Sequence, residues 1–150
     1  MKAIILTQAP IKECEQNLLR NTNIFKLALN HHAEEFSPDV RIISDYILPN
    51  ICRKFPHKVV SVRDRFRYIT SRVEYFNVEF KGATIISAIE YLIFKKYDEI
   101  LIIGDNTVHG EEFIALVKRE VDKLKDKAKI YQYTTGNFNL PVMSITEFCR

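Results

Sequence analysis

Glu99-Ile100-Leu101-Ile102-Ile103, followed by Gly104-Asp105-Asn106, is the stretch on which the fold turns. Its apolar run is continuous rather than alternating, as in strands buried on both faces of a parallel sheet covered by helices. Helical patterns flank it. Upstream, about Ala83 to Tyr97, Ile85, Ile86, Ala88, Ile89, Leu92, Ile93 and Phe94 cover most of the circumference, which describes a helix buried against a sheet. Downstream, about Glu111 to Lys127, a stripe of Phe113, Leu116, Val117, Val121 and Leu124 lies opposite a charged face. Gly110 with Glu111 and Glu112 makes a fitting start, since acidic residues favour a helix N-terminus. An apolar segment from Lys129 to Tyr133 then completes helix, strand, helix, strand, and a right-handed βαβ unit follows. The expected fold is a Rossmann-like, doubly wound α/β sandwich with a mostly parallel sheet and helices on both faces.

Working outward, short apolar runs predict strands over residues 2–7, Asp39 to Ile43, and His57 to Val62. Tyr68 to Val78 is β-rich but polar, the pattern of a loop or an edge strand. Asn23 to Leu29 fits strand or helix equally by periodicity. There is no internal repeat, low-complexity tract or Ser/Gly-rich linker, so the 150 residues read as a single domain, long enough to bury a sizeable core.

Apolar residues make up 47% and charged residues 27% of the chain, the balance of a globular protein. The net charge of +3 is small and the basic residues are scattered, so the concentrated basic face expected of a nucleic-acid binder is missing. No apolar run approaches the roughly 18 residues that would cross a bilayer. The opening Met1-Lys2-Ala3-Ile4-Ile5-Leu6-Thr7 is too short in its apolar part for a signal sequence and reads as a first strand. Cys14, Cys52 and Cys149 are odd in number and form no C-x-x-C pair, which suits a reduced, cytoplasmic compartment.

In open parallel sheets, ligands bind outside the carboxyl ends of the strands, so candidate site residues are those that follow each strand. Thr7, Gln8, Ala9 and Pro10 follow the first, and Ser44 and Asp45 follow the Asp39–Ile43 strand. Gly104-Asp105-Asn106-Thr107-Val108-His109-Gly110 follows the central run, and Thr134-Thr135-Gly136-Asn137 the last strand. Gly82-Ala83-Thr84 opens the buried helix, where free backbone N–H groups and the dipole can receive an anion and glycine allows close approach. A strand ending in Gly104-Asp105 sets a carboxylate beside the crevice, and Asn106 adds an amide. The alternative is a turn in which Asp or Asn caps its own backbone.

Neither a dinucleotide fingerprint nor a P-loop is present, and no Cys/His spacing supports zinc. No cofactor is expected. His109, in the loop before the amphipathic helix, is the only local candidate for a general base. His31-His32 read as surface, and His57 as the opening of a strand. Arg63, Arg65 and Arg67 alternate and share one face if extended, ready for a phosphate or as a charged, aggregation-resistant edge. No serine has a nucleophile-elbow context.

Thr84-Ile85-Ile86-Ser87-Ala88-Ile89, with Lys96-Tyr97-Asp98-Glu99-Ile100-Leu101-Ile102-Ile103-Gly104, resembles a known pattern. It is similar to the central motif of the bacterial sialyltransferases of glycosyltransferase family 42 and of the related domain in motility accessory factors. There a Ser-Gly pair opens a buried helix, and a following strand ends in Gly-x-Asp. Ala9-Pro10 stands at the family's first-loop Gly-Pro, Asn30 at an Asn after its second strand, and Ser37-Pro38-Asp39 through Ser44-Asp45 resembles its next strand and loop. The resemblance implies a crevice for a nucleotide or nucleotide sugar such as a CMP-sugar, with Gln8, Asn30, Thr84, Asp105 and Asn106 on the nucleotide side. It also implies metal-independent glycosyl transfer in surface-glycan biosynthesis. The family's tyrosines after the Gly-x-Asp strand fall at Thr107 and Val108, and its histidine base lies in a lid for which this chain has little room. The alternative is therefore a non-catalytic binding or assembly subunit, with homo-oligomer formation left open.

Overall fold

The computed structural model describes residues 1–8, 10–30, 33–44, 58–62, 73–104, 110–134, 136 and 138–150. In chain order it contains β1 (Lys2–Leu6), α1 (Glu13–Asn21), β2 (Phe25–Leu29), a 3-10 turn (Glu34–Phe36), β3 (Val40–Ile43), β4 (Lys58–Ser61) and β5 (Val73–Tyr75). These are followed by α2 (Thr84–Phe94), β6 (Glu99–Ile103), α3 (Glu111–Leu124), β7 (Lys129–Gln132) and α4 (Ile145–Phe148). The seven strands form one sheet in the order β5-β4-β3-β2-β1-β6-β7, and every described ladder is parallel. This is the Rossmann-like, doubly wound architecture that the β6 run predicts.

The burial pattern explains why continuous apolar runs become strands here. Ala3 to Leu6 in β1 and Ile100 to Ile103 in β6 are 0% exposed, because alternate side chains enter different cores. Ile4, Leu6, Ala28, Leu101 and Ile103 pack on one face with Leu19 of α1, Phe36, and Ile145 and Phe148 of α4. Ala3, Ile5, Leu27, Leu29, Ile42, Val60, Ile100 and Ile102 pack on the other with residues of α2 and α3. Each fully buried aliphatic side chain contributes about 1.5–3 kcal/mol, so the two cores dominate the stability. Among the described residues no helix is long and apolar enough to cross a membrane.

Several boundaries shift. Asn23 to Leu29, ambiguous by pattern, is strand over Phe25–Leu29; it is inserted between β1 and β3, where only an extended segment can pair on both sides. The Tyr68–Val78 stretch supplies an edge strand of three residues, Val73–Tyr75; residues 68–72 lie outside the described residues, as does His57 before β4. The buried helix ends at Phe94 rather than Tyr97, because Lys96 turns left-handed at φ 70. Helices α1 and α4 have no counterpart in the apolar pattern: Glu-Cys-Glu-Gln-Asn-Leu-Leu-Arg-Asn offers only Leu18 and Leu19 as large apolar contacts.

Candidate ligand-binding crevice

The chain lays β2 to β5 outward on one side of β1, then returns to place β6 and β7 on the other. The reversal falls between β1 and β6, and a ligand crevice is expected outside the carboxyl ends of those strands. There the backbone N–H of Thr7 donates to the carbonyl of Ile103 at 2.9 Å, and the Thr7 hydroxyl donates to the carbonyl of Gly104. Gly104 has φ 100, a conformation that favours glycine. Thr7 and Gly104 thus tie the ends of β1 and β6 together at the point where a crevice is expected. Gln8 beyond them is exposed.

One strand over, Asn30 follows β2. Its backbone N–H extends the ladder to the carbonyl of Ile42 at 2.9 Å, and its side-chain amide reaches Thr84 Oγ1 at 3.5 Å. The Thr84 hydroxyl also hydrogen-bonds Ser44 Oγ, at the end of β3. Asn30, Ser44 and Thr84, distant in sequence, therefore meet where β2 and β3 run out under the first turn of α2. Asn30 Oδ1 is buried and has no hydrogen-bond partner among the described residues. Buried polar atoms are nearly always paired, so an unpaired acceptor here is exceptional.

The amino ends of α1, α2 and α3 all face this edge, because each helix follows a strand, and none has a side-chain cap. They differ in charge. Glu13 and Glu15 occupy the first turn of α1, and Glu111 and Glu112 that of α3. The first turn of α2 has no acidic residue, so its dipole is uncompensated and its N–H groups favour an anion. Gly82, two residues ahead, holds φ 90, and a Cβ there would lie 2.9 Å from Leu116 Cδ2. Glycine at that position is required by the backbone, whatever ligand binds.

Of the residues expected in the site, the structure brings Asn30 and Thr84 together, with Gly82 leading into the same turn, and joins Thr7 to Gly104 at the switch point. Asp105, Asn106 and His109 lie outside the described residues, as do Thr107, Val108, His31, His32, Arg63, Arg65 and Arg67. Ser44, expected among the residues that follow a strand, joins Asn30 at Thr84. One participant is not anticipated by the sequence. Arg41 stands inside an apolar strand and is 0% exposed; a charged residue amid Val40, Ile42 and Ile43 is the signal that could have marked it.

No family model and no curated protein matches this chain.

Proposed function

We propose that this chain binds a nucleotide or nucleotide sugar across the carboxyl edge of its sheet, in the manner of a sialyltransferase-like domain. The observation that carries the reading is the corner at α2. An uncapped, acid-free helix start, at Thr84, sits beside Asn30 and Ser44, and the side-chain oxygen Oδ1 of Asn30 lacks a partner. A phosphate suits the helix start, and an N–H or O–H of the base or sugar suits the open acceptor. If the protein transfers a glycosyl group, the helix start stabilises the leaving phosphate electrostatically, without a metal.

A second reading, a non-catalytic binding or assembly subunit, is favoured by the chemistry of that corner. One amide and two hydroxyls orient a ligand, but none takes a proton near neutral pH. Calorimetric titration with CMP, CDP, UDP and CMP-sialic acid tests both. Micromolar binding that weakens at least tenfold in Asn30→Ala and in Thr84→Val supports nucleotide binding. Silence across the four ligands rules it out, and a stable dimer in solution then favours the assembly role. Release of free sugar or transfer to an added glycan acceptor separates an enzyme from a binder.

A further inference from the structure

Arg41 is a fully buried guanidinium in the middle of β3, paired across the ladders with Ala28 of β2 and Val59 of β4. Such a group stays charged near neutral pH. Burying it is costly unless it is paired and hydrogen-bonded, and an aliphatic residue of similar volume is often the more stable choice. Its contacts show what it holds. Nη1 donates to the backbone carbonyl of Asn30 at 2.7 Å, and Nη2 to Glu34 Oε2 at 2.7 Å. Arg41 therefore grips the β2–β3 connection at its first residue and again in its 3-10 turn. That connection is conformationally unfavourable: Asn30 (φ 48), Ala33 (φ 62) and Ser37 (φ 49) are all left-handed without being glycine, and such residues persist only where their surroundings hold them.

We infer that Arg41 is the positioning residue of the crevice corner, fixing Asn30 in its left-handed conformation so that its amide meets Thr84 and Oδ1 is left without a protein partner at the strand end. Asn30 is held on three sides: by Ile42 through its N–H, by Arg41 through its carbonyl, and by Thr84 through its amide. Removing Arg41 frees the carbonyl of Asn30 and removes a charged partner from the left-handed turn. The inference rests on the nucleotide-binding reading for its consequence, but the clamp itself can be observed without any ligand.

The test uses 15N-labelled full chain in wild-type, Arg41→Met, Arg41→Lys and Glu34→Gln forms. One readout is the Asn30 side-chain amide and the Thr84 backbone amide in 15N–1H correlation spectra. The other is CMP affinity by calorimetry, well below each variant's melting temperature. The expected order of perturbation is Arg41→Met, then Arg41→Lys, then Glu34→Gln. Arg41→Met should move both resonances and weaken CMP at least tenfold. Arg41→Lys should recover part of the loss, since an ammonium can meet the Asn30 carbonyl or the Glu34 carboxylate but lacks the fork. A merely structural arginine would lower the melting temperature and leave the Asn30 and Thr84 signals in place; that result overturns the proposal, as does CMP affinity within twofold of wild type in a folded Arg41→Met. Should Arg41→Met fail to fold, Arg41→Lys and Glu34→Gln carry the same comparison, and unmoved signals in both overturn it. If wild type binds none of the four nucleotides, the functional reading fails by itself, and the Asn30 resonance still decides the clamp.

Discussion

The phenol of Tyr133 donates to the buried carboxylate of Glu15 at 2.5 Å, joining the residue after β7 to the first turn of α1 across 118 positions of sequence. The other Glu15 oxygen accepts from the backbone N–H of Thr146 at 3.0 Å and from its hydroxyl at 3.1 Å. The N–H of Lys12 donates to the Tyr133 oxygen at 3.2 Å. One carboxylate thus gathers α1, β7 and α4 onto the same face of the sheet.

Tyr133→Phe should therefore lower stability by about 1–3 kcal/mol, the cost of leaving a buried charged acceptor short of a donor. Burial pushes the Glu15 carboxyl up, but the bonds from Tyr133 and Thr146, with the nearby Lys12 charge, outweigh it and hold the group below its ordinary 4.5. A depressed carboxyl contributes stability that is fully present above its unfolded value and is lost as pH falls through the folded one. Glu15→Gln should accordingly be less stable than wild type at pH 7, with the gap narrowing below about pH 4.5. Urea midpoints from pH 7 to pH 3 check this, and a gap that stays constant across the series refutes it.

That clamp also shows which parts of the molecule are legible in sequence. The β6 run and the Ala83 helix announce themselves because a residue's burial there is decided by near neighbours of the same kind. Helix α1 does not, since Glu15 finds its partners at Tyr133 and Thr146. No local window contains that information. The site divides in the same way. Asn30 and Thr84 are readable as residues that follow a strand or open a helix. The grip of Arg41 on Asn30 is hidden, because a positive charge inside a strand says nothing of the carbonyl it will meet.

Gly82 should tolerate no side chain. Its φ of 90 is unfavourable for any L-residue, and an added Cβ would lie 2.9 Å from Leu116 Cδ2. Gly82→Ala is expected to cost roughly 1–3 kcal/mol, the usual range for a left-handed non-glycine residue, lowering Tm by about 2–4 °C per kcal/mol. The leucine end is flexible and can move aside, so the backbone should carry most of the cost. Truncating Leu116 to Ala in the same chain therefore should not rescue it. Full rescue in that double variant would place the cost in the contact instead.

Tyr91 sets a limit on alkaline stability. It is 2% exposed on α2, with its ring edge-on to Phe76 at 5.3 Å between centroids. Burial first, then the Glu74 carboxylate and the Tyr97 phenol, push its ionisation up to about 12. A raised phenol contributes stability that is intact below about pH 10 and is lost as pH climbs toward about 12. Tyr91→Phe should thus flatten the decline in unfolding free energy between pH 10 and 11 relative to wild type. Absorbance at the tyrosinate band should show one late-ionising tyrosine missing from the variant. Parallel stability curves for the two proteins would count against the assignment.

Ser87 and Asn30 both carry a buried oxygen with no hydrogen-bond partner, and their opposite situations separate a packing defect from a binding group. Ser87 is 0% exposed, inside α2 and one turn beyond Thr84. No ligand reaches a sealed hydroxyl without rearrangement, so its orphan oxygen only costs stability. Asn30 Oδ1 is covered as well, but the residue is half-buried at the strand end, so a ligand can supply the missing donor once the side chain turns outward. Ser87→Ala should consequently raise stability by about 1 kcal/mol, combining the relieved hydroxyl with alanine's better helix propensity, and leave CMP affinity unchanged. Asn30→Ala should lose CMP and also lower the urea midpoint, since alanine tolerates the left-handed φ of 48 less well than asparagine. Both variants need calorimetry and urea unfolding on the same samples. Destabilisation of Ser87→Ala together with lost CMP binding would move the ligand's acceptor from Asn30 to the interior of α2.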